Sequence, residues 1–206
     1  MLALKPALLT PDAYLAQEAA SPERHEYYDG ALVAMTGGSR RHNQISGNAY
    51  LHLRQHLRGK PCQVGMADLK LRVARANTYF YPDVLVACGD EVGTADAAQS
   101  ISDARLVIEV LSPTTEVYDR REKFFAYKKL ASLQEYALVA QDCQRVELFR
   151  RHGEVGWLCV VVEHAEDGEP SATVEFTSVG LTLPLLDLYE GTDALVHAPP
   201  IAGDVR

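Results

Sequence analysis

The sequence predicts an α/β fold in which a mixed β-sheet carries helices on its faces. Three observations lead there: apolar and polar residues alternate around Asp29-Gly30, an apolar stripe recurs every four residues from Ile45 to Leu57, and two apolar runs, Tyr79–Cys88 and Ala104–Leu111, precede a segment of helical spacing. Hairpin, helix, strands, helix and strands in that order suit a layered α/β sheet.

Each element has a local cause. Thr10-Pro11-Asp12 opens a short accessory helix, with a capping residue followed by proline at the first helical position, and Ser21-Pro22 lies just past its end. From Arg24 to Thr36 a β-hairpin is expected, since Asp29-Gly30 tolerates the positive φ of a tight turn. Ser39 to Arg58 reads as an amphipathic helix that buries Ile45, Ala49, Leu53 and Leu57 and leaves Arg41, Asn48 and Arg54 off the stripe. Asp68–Val73, Tyr79–Cys88 and Ala104–Leu111 read as strands, with a long connection over residues 89–102. Asp119-x-x-Glu122 has the form of a capping box, so a helix is expected from about residue 120 to 131. Strands follow at Glu135–Ala140, Arg145–Arg150, Val155–Val162 and Ala172–Phe176, with a short helix at Pro184-Leu185-Leu186.

Composition narrows the function. With 206 residues, 47% of them apolar, the chain is expected to form one domain with its core over about residues 10–190 and a tail over 191–206. No apolar stretch approaches the roughly 18–20 residues of a spanning helix, which argues against a membrane partner and for a cytoplasmic protein. Cys62, Cys88, Cys143 and Cys159 form no CxxC pair and are expected to be buried thiols. The net charge of −8 belongs to residues 163–206, which hold nine acids and one base; residues 1–162 are neutral. Bases gather at Arg40-Arg41-His42 to Lys60 and at Arg120-Arg121 to Lys129, as a local basic surface or as two solvated helix faces.

Two acids break the apolar pattern. Period two puts Asp83 on the face of Leu85 and Ala87, and Glu109 on that of Val107 and Leu111. Each alone could pair with an arginine or cap a turn. Together, on neighbouring strands, they would repel unless a divalent cation neutralised both. Mg²⁺, with Mn²⁺ as a substitute, suits such a site because one or two carboxylates, waters and a substrate phosphate satisfy it. Helical spacing can turn Lys123 and Tyr127 toward the end of the Glu109 strand, although spacing alone favours a solvated lysine beside Arg120, Arg121, Lys128 and Lys129. His42 stands beside Arg40 and Arg41 at a helix start, either exposed without a role or able to contact a phosphate or assist proton transfer. Ser112-Pro113-Thr114-Thr115 reads as a turn rather than a nucleophile segment.

The run Tyr81-Pro82-Asp83, Leu106-Val107-Ile108-Glu109-Val110-Leu111-Ser112-Pro113-Thr114-Thr115, Tyr118-Asp119-Arg120, Lys123 and Tyr127 resembles the Uma-two family of the PD-(D/E)XK nuclease superfamily. Arg24-His25-Glu26-Tyr27-Tyr28-Asp29-Gly30 is similar to the family's entry hairpin, and Gln134-Glu135-Tyr136-Ala137-Leu138-Val139 to its post-helix strand. The resemblance implies a restriction-endonuclease-like core, DNA as substrate, Asp83 and Glu109 as catalytic metal ligands, Glu26 as a further acid completing the site, and Lys123 as the lysine. The chain departs from the superfamily pattern at Leu111, where E-x-K places a lysine on the strand. The expectation is therefore an Mg²⁺-dependent endonuclease with a migrated lysine, acting as a homodimer to match the two strands of DNA. The rival is a noncatalytic nucleic-acid-binding or scaffold protein that keeps the fold.

Overall fold

A computed structural model describes residues 8–35, 37–89, 100–153, 156–164 and 172–194. Residues 90–99 of the connection over 89–102 and residues 195–206 of the tail over 191–206 lie outside these residues.

The N-terminal part follows its local signals. Helix α1, Pro11–Ala20, is capped by the Thr10 hydroxyl accepting from Ala13 N. Strands β1, His25–Tyr28, and β2, Ala31–Ala34, form the hairpin, with Asp29 and Gly30 at φ 44° and 94°. Helix α2, Arg40–His56, starts at the Ser39 cap and buries Ile45, Ala49 and Leu53, with Leu57 just past its end. Burial of each of the larger residues stabilises by about 1.5–3 kcal/mol. Asn48 departs from the expected pattern: it is buried, and its Nδ2 donates to the carbonyls of Leu188 and Glu190, so it ties α2 to the C-terminal segment.

The sheet region contains two strands that the pattern did not announce, β3, Cys62–Met66, and β12, Leu181–Pro184. The expected strand Asp68–Val73 shortens to β4, Leu71–Val73. The expected single strand Tyr79–Cys88 divides into β5, Thr78–Phe80, and β6, Val84–Cys88, which belong to different sheets. Pro82 lies at the division; it has no N–H to give to a ladder. Strand β7 is Ala104–Leu111, β8 Glu135–Ala140, β9 Arg145–His152, β10 Gly156–Glu163 and β11 Thr173–Phe176.

One sheet has the order β2-β1-β5-β4; the central sheet runs β10-β9-β8-β7-β6-β3 and is mixed, with β7 and β8 parallel and the other neighbours antiparallel. On one face α2 packs with Val84, Val86, Ile108 and Val110, joined by α5, Leu185–Leu188. On the other, Leu85, Val107, Leu111 and Leu138 meet Ala126 and Tyr127.

The helix that supplies Ala126 and Tyr127 starts earlier than expected. It comprises α3, Glu116–Tyr118, a π-helical turn at Asp119–Lys123, and α4, Phe124–Tyr127. Asp119 is therefore not a cap but a buried side chain inside a widened turn, and the Tyr136 hydroxyl donates to its carbonyl at 3.0 Å.

The cysteine expectation is corrected. Cys62 and Cys88 stand opposite one another in the β3–β6 register and form a disulfide, and Cys159 is exposed; only Cys143 is a buried thiol. Antiparallel pairing brings together two residues whose spacing along the chain carries no such signal.

Candidate active site

Strand pairing creates the site. Val84 is paired with Ile108, so one further step of the antiparallel register sets Asp83 across from Glu109. Asp83 Oδ2 accepts from Val110 N at 2.7 Å, and Asp83 N donates to Glu109 Oε2 at 3.4 Å. The break at Pro82 leaves Asp83 outside the ladder, with its side chain 22% exposed, whereas that of Glu109 is 3% exposed.

Lys123 and Tyr127 reach this point from the helix, one turn apart. Lys123 Nζ lies 3.2 Å from Glu109 Oε1, 3.0 Å from Glu26 Oε1 and 3.2 Å from Asp119 Oδ1. The Tyr127 hydroxyl donates to Glu109 Oε1 at 2.9 Å. Glu26 comes from β1 and also accepts from Tyr81 N at 3.1 Å, which links the hairpin to the chain just before Asp83. The structure thus brings together Glu26, Asp83, Glu109 and Lys123.

The sequence reading gave one participant another role and left a second one open. Asp119 looked like a cap, though its spacing of four from Lys123 was the available signal. His42 is not an idle exposed side chain: its Nε2 lies 3.2 Å from Asp83 Oδ2. The Ser39 cap holds the first turn of α2 in place beneath it. Ser112 bonds within its own turn, to Thr114 and Thr115, as expected. The basic clusters are partly neutralised, Arg41 by Asp193 and Arg120 by Glu116 and Glu147.

Glu26, His42, Asp83, Glu109, Asp119 and Lys123 line a cleft of about 250 Å³. Its electrostatics are dominated by four acids around one lysine. Burial pushes the Glu109 carboxyl well above the usual range; Lys123 opposes this, while Asp119, Asp83 and Glu26 add to it. Burial likewise raises Glu26. For Lys123, burial favours loss of the proton, but Glu109, Glu26 and Asp119 override it and hold the ammonium well above the ordinary lysine range. His42 is raised in the same way, because the Asp83 carboxylate outweighs desolvation.

The residues fit a hard divalent cation. One oxygen of each central carboxylate is engaged, Glu109 Oε1 by Lys123 and Tyr127 and Asp83 Oδ2 by His42 and Val110. Among the described residues, Asp83 Oδ1 accepts no hydrogen bond and Glu109 Oε2 accepts only the long one from Asp83 N. The excess negative charge is what a cation would relieve. No three His, Cys, Asp or Glu side chains among the described residues converge as a preformed cage. Mg²⁺ needs none, since it keeps several waters.

Comparisons with known proteins identify the family and the fold. The sequence model of the Uma-two family, described as "Putative restriction endonuclease", matches residues 11–185. Two uncharacterized proteins of Synechocystis sp. are similar: slr1290 is 36% identical over 183 residues, covering 89% of this chain and 92% of that protein, and sll1609 is 31% identical over 151 residues, covering 73% and 85%. A crystal structure of a "putative nuclease" from Anabaena variabilis has the same fold, with a TM-score of 0.69 at 20% identity over 89% of this chain and 98% of that one.

Proposed function

The chain belongs to the Uma-two family of restriction-endonuclease-like proteins, and from that premise we propose that it hydrolyses phosphodiester bonds of DNA in the cleft where Asp83 and Glu109 meet. The observation that carries the reading is the delivery of the Lys123 ammonium, from a helix, to the Glu109 carboxylate beside Asp83.

Asp83 and Glu109 would hold Mg²⁺, or Mn²⁺ in its place. Such an ion, when bound, polarises a phosphoryl oxygen and lowers the pKa of water. The protein's own groups do the rest. Lys123 and Tyr127 fix one oxygen of Glu109 and leave the other toward the cleft, while His42 and Val110 N do the same for Asp83. Glu26 and Asp119 aim the Lys123 ammonium. As water attacks the phosphorus in line and the bond to the leaving oxygen breaks, Lys123 stabilises the charge that develops on the phosphoryl oxygens. Lys123 thereby replaces the strand lysine, whose expected position holds Leu111, buried in the core. Cutting both strands of a duplex calls for two such sites, so the working form in this proposal is a homodimer.

The test is cleavage of supercoiled, linear and single-stranded DNA at low salt with Mg²⁺ or Mn²⁺, comparing wild type with Asp83→Ala, Glu109→Ala and Lys123→Ala. Activity in wild type that is lost in all three variants is the expected result. A wild type that neither cleaves DNA nor binds either metal would instead favour a noncatalytic binding protein.

A further inference from the structure

The cleft alone is poorly charged for holding a polyanion. Glu26, Asp83, Glu109 and Asp119 surround Lys123 there, and the whole chain carries a net charge of −8. A nucleic acid draws much of its affinity from cations set against its phosphates. Other clefts that hold Arg40 and Arg41, or Arg120 and Arg145, also hold Asp193, or Glu116 and Asp142.

A further cleft of about 480 Å³ differs from these. It lies between α4 and the outer strands β9 and β10, and the charged residues that line it, Lys128 and Arg151, are both basic. Neither is ion-paired among the described residues. Lys128 Nζ lies 4.7 Å from the centroid of the Phe124 ring. Arg151 Nε and Nη2 donate to the carbonyls of Leu133, Lys128 and Leu130, and these neutral partners fix the guanidinium 4.7 Å from the Trp157 centroid without cancelling its charge. The aromatic wall is continuous: Phe124 packs on Phe149 at 4.4 Å and meets Trp157 edge-on at 5.7 Å, and all three are half-buried. Aromatic rings beside uncompensated cations suit a single strand, whose bases stack on the rings while its phosphates meet the cations. A duplex keeps its bases stacked on each other and offers none to a side pocket.

Its position ties this pocket to the cleft. Glu109 shares the sheet face of Val107 and Leu111, and Phe149 and Trp157 pack on that same face. The helix runs between the two sites, turning Lys123 and Tyr127 to Glu109 and Phe124 and Lys128 to the pocket. Three strand spacings and four residues of rise separate Glu109 from Trp157, about 20 Å, a distance that a few nucleotides span.

We propose that this pocket takes an unpaired base of the DNA strand that occupies the cleft, stacked on its aromatic wall, with the adjoining phosphates on Lys128 and Arg151. The protein thereby selects DNA that is single-stranded beside the scissile bond. That the polymer is DNA rests on the proposed function, whereas binding in the pocket does not depend on cleavage.

Trp157 is the single tryptophan of the chain, so its fluorescence reports this pocket. At low salt, with metal removed by a chelator, a short oligothymidylate should quench it saturably. A blunt duplex and an abasic strand of the same length should each bind about tenfold more weakly or worse. Lys128→Gln should keep the thermal midpoint, bind oligothymidylate about tenfold more weakly, and flatten the dependence of log affinity on log salt by about 0.7. By anisotropy of a labelled strand, Trp157→Leu should lose about tenfold in affinity and Trp157→Phe should retain most of it. Equal binding of the abasic strand or the duplex would overturn the proposal, as would quenching that Lys128→Gln leaves unchanged. Fluorescence that follows protein concentration without DNA would give the pocket to a second copy and overturn it too. Metal-dependent cleavage by a wild type that shows no quenching would sink this inference and leave the proposed function standing; quenching without cleavage in either metal would do the reverse.

Discussion

The Lys123 ammonium lies 3.2 Å from Glu109 Oε1, although one residue belongs to a helix and the other to the middle of a strand. Four acids, Glu26, Asp83, Glu109 and Asp119, share that neighbourhood, and the Lys123 ammonium is ion-paired with Glu26, Glu109 and Asp119. Its removal should therefore harm the fold as well as the chemistry.

Lys123→Met leaves buried carboxylates without their counter-charge, a loss of about 3–5 kcal/mol at neutral pH. Chemical denaturation should show this loss, and single-turnover cleavage by the surviving folded fraction should fall by about 100-fold or more. Unchanged stability would mean that the lysine is not the group that compensates these acids.

Mg²⁺ or Mn²⁺ should raise the thermal midpoint of the wild type, because a ligand that binds only the folded state stabilises it. Asp83→Asn and Glu109→Gln should abolish that rise in a thermal melt while leaving the metal-free protein folded. A rise that persists in both variants would place the cation elsewhere.

His42→Ala frees Asp83 from one of its two partners. Loss of such an orienting group typically weakens metal affinity about 10–100-fold, which titration calorimetry with Mn²⁺ would read. Ser112→Ala, within the neighbouring turn, should leave that affinity unchanged.

Glu147 offers a pH prediction away from the cleft. Burial pushes its carboxyl up, but the bidentate Arg120 and the neighbouring Arg145 outweigh burial and hold it below the usual range. A depressed folded pKa contributes stability that is present above the unfolded value and disappears as pH falls through the folded one. Acid titration of stability should thus show a component lost below the ordinary carboxylate range in wild type and missing in Glu147→Gln, which costs about 2 kcal/mol near neutrality.

Asn48→Leu should cost about 1–3 kcal/mol in equilibrium unfolding, since it leaves the carbonyls of Leu188 and Glu190 without their buried donor. Metal binding should survive it.

The sequence by itself determined what depends on neighbours along the chain. The hairpin at Asp29-Gly30, the cap of α1, the stripe from Ile45 to Leu57 and the strand Glu135–Ala140 all follow from turn chemistry and periodicity, which act over a few residues. The two acids were legible for the same reason: a charge in an apolar strand violates a local pattern, and Asp83 and Glu109 each do so. Their meeting, however, was decided by the register of β6 on β7, and that of Cys62 with Cys88 by β3 on β6. Only tertiary structure split Tyr79–Cys88 between two sheets, buried Asn48 on a second face of α2 and brought His42 onto Asp83. It also turned Asp119 from an apparent cap into a partner of Lys123, because the widened turn is pinned by Tyr136, a residue of β8. Periodicity records which face a side chain takes, whereas a site requires distances between elements, and those are set by how the sheet pairs and what packs on it.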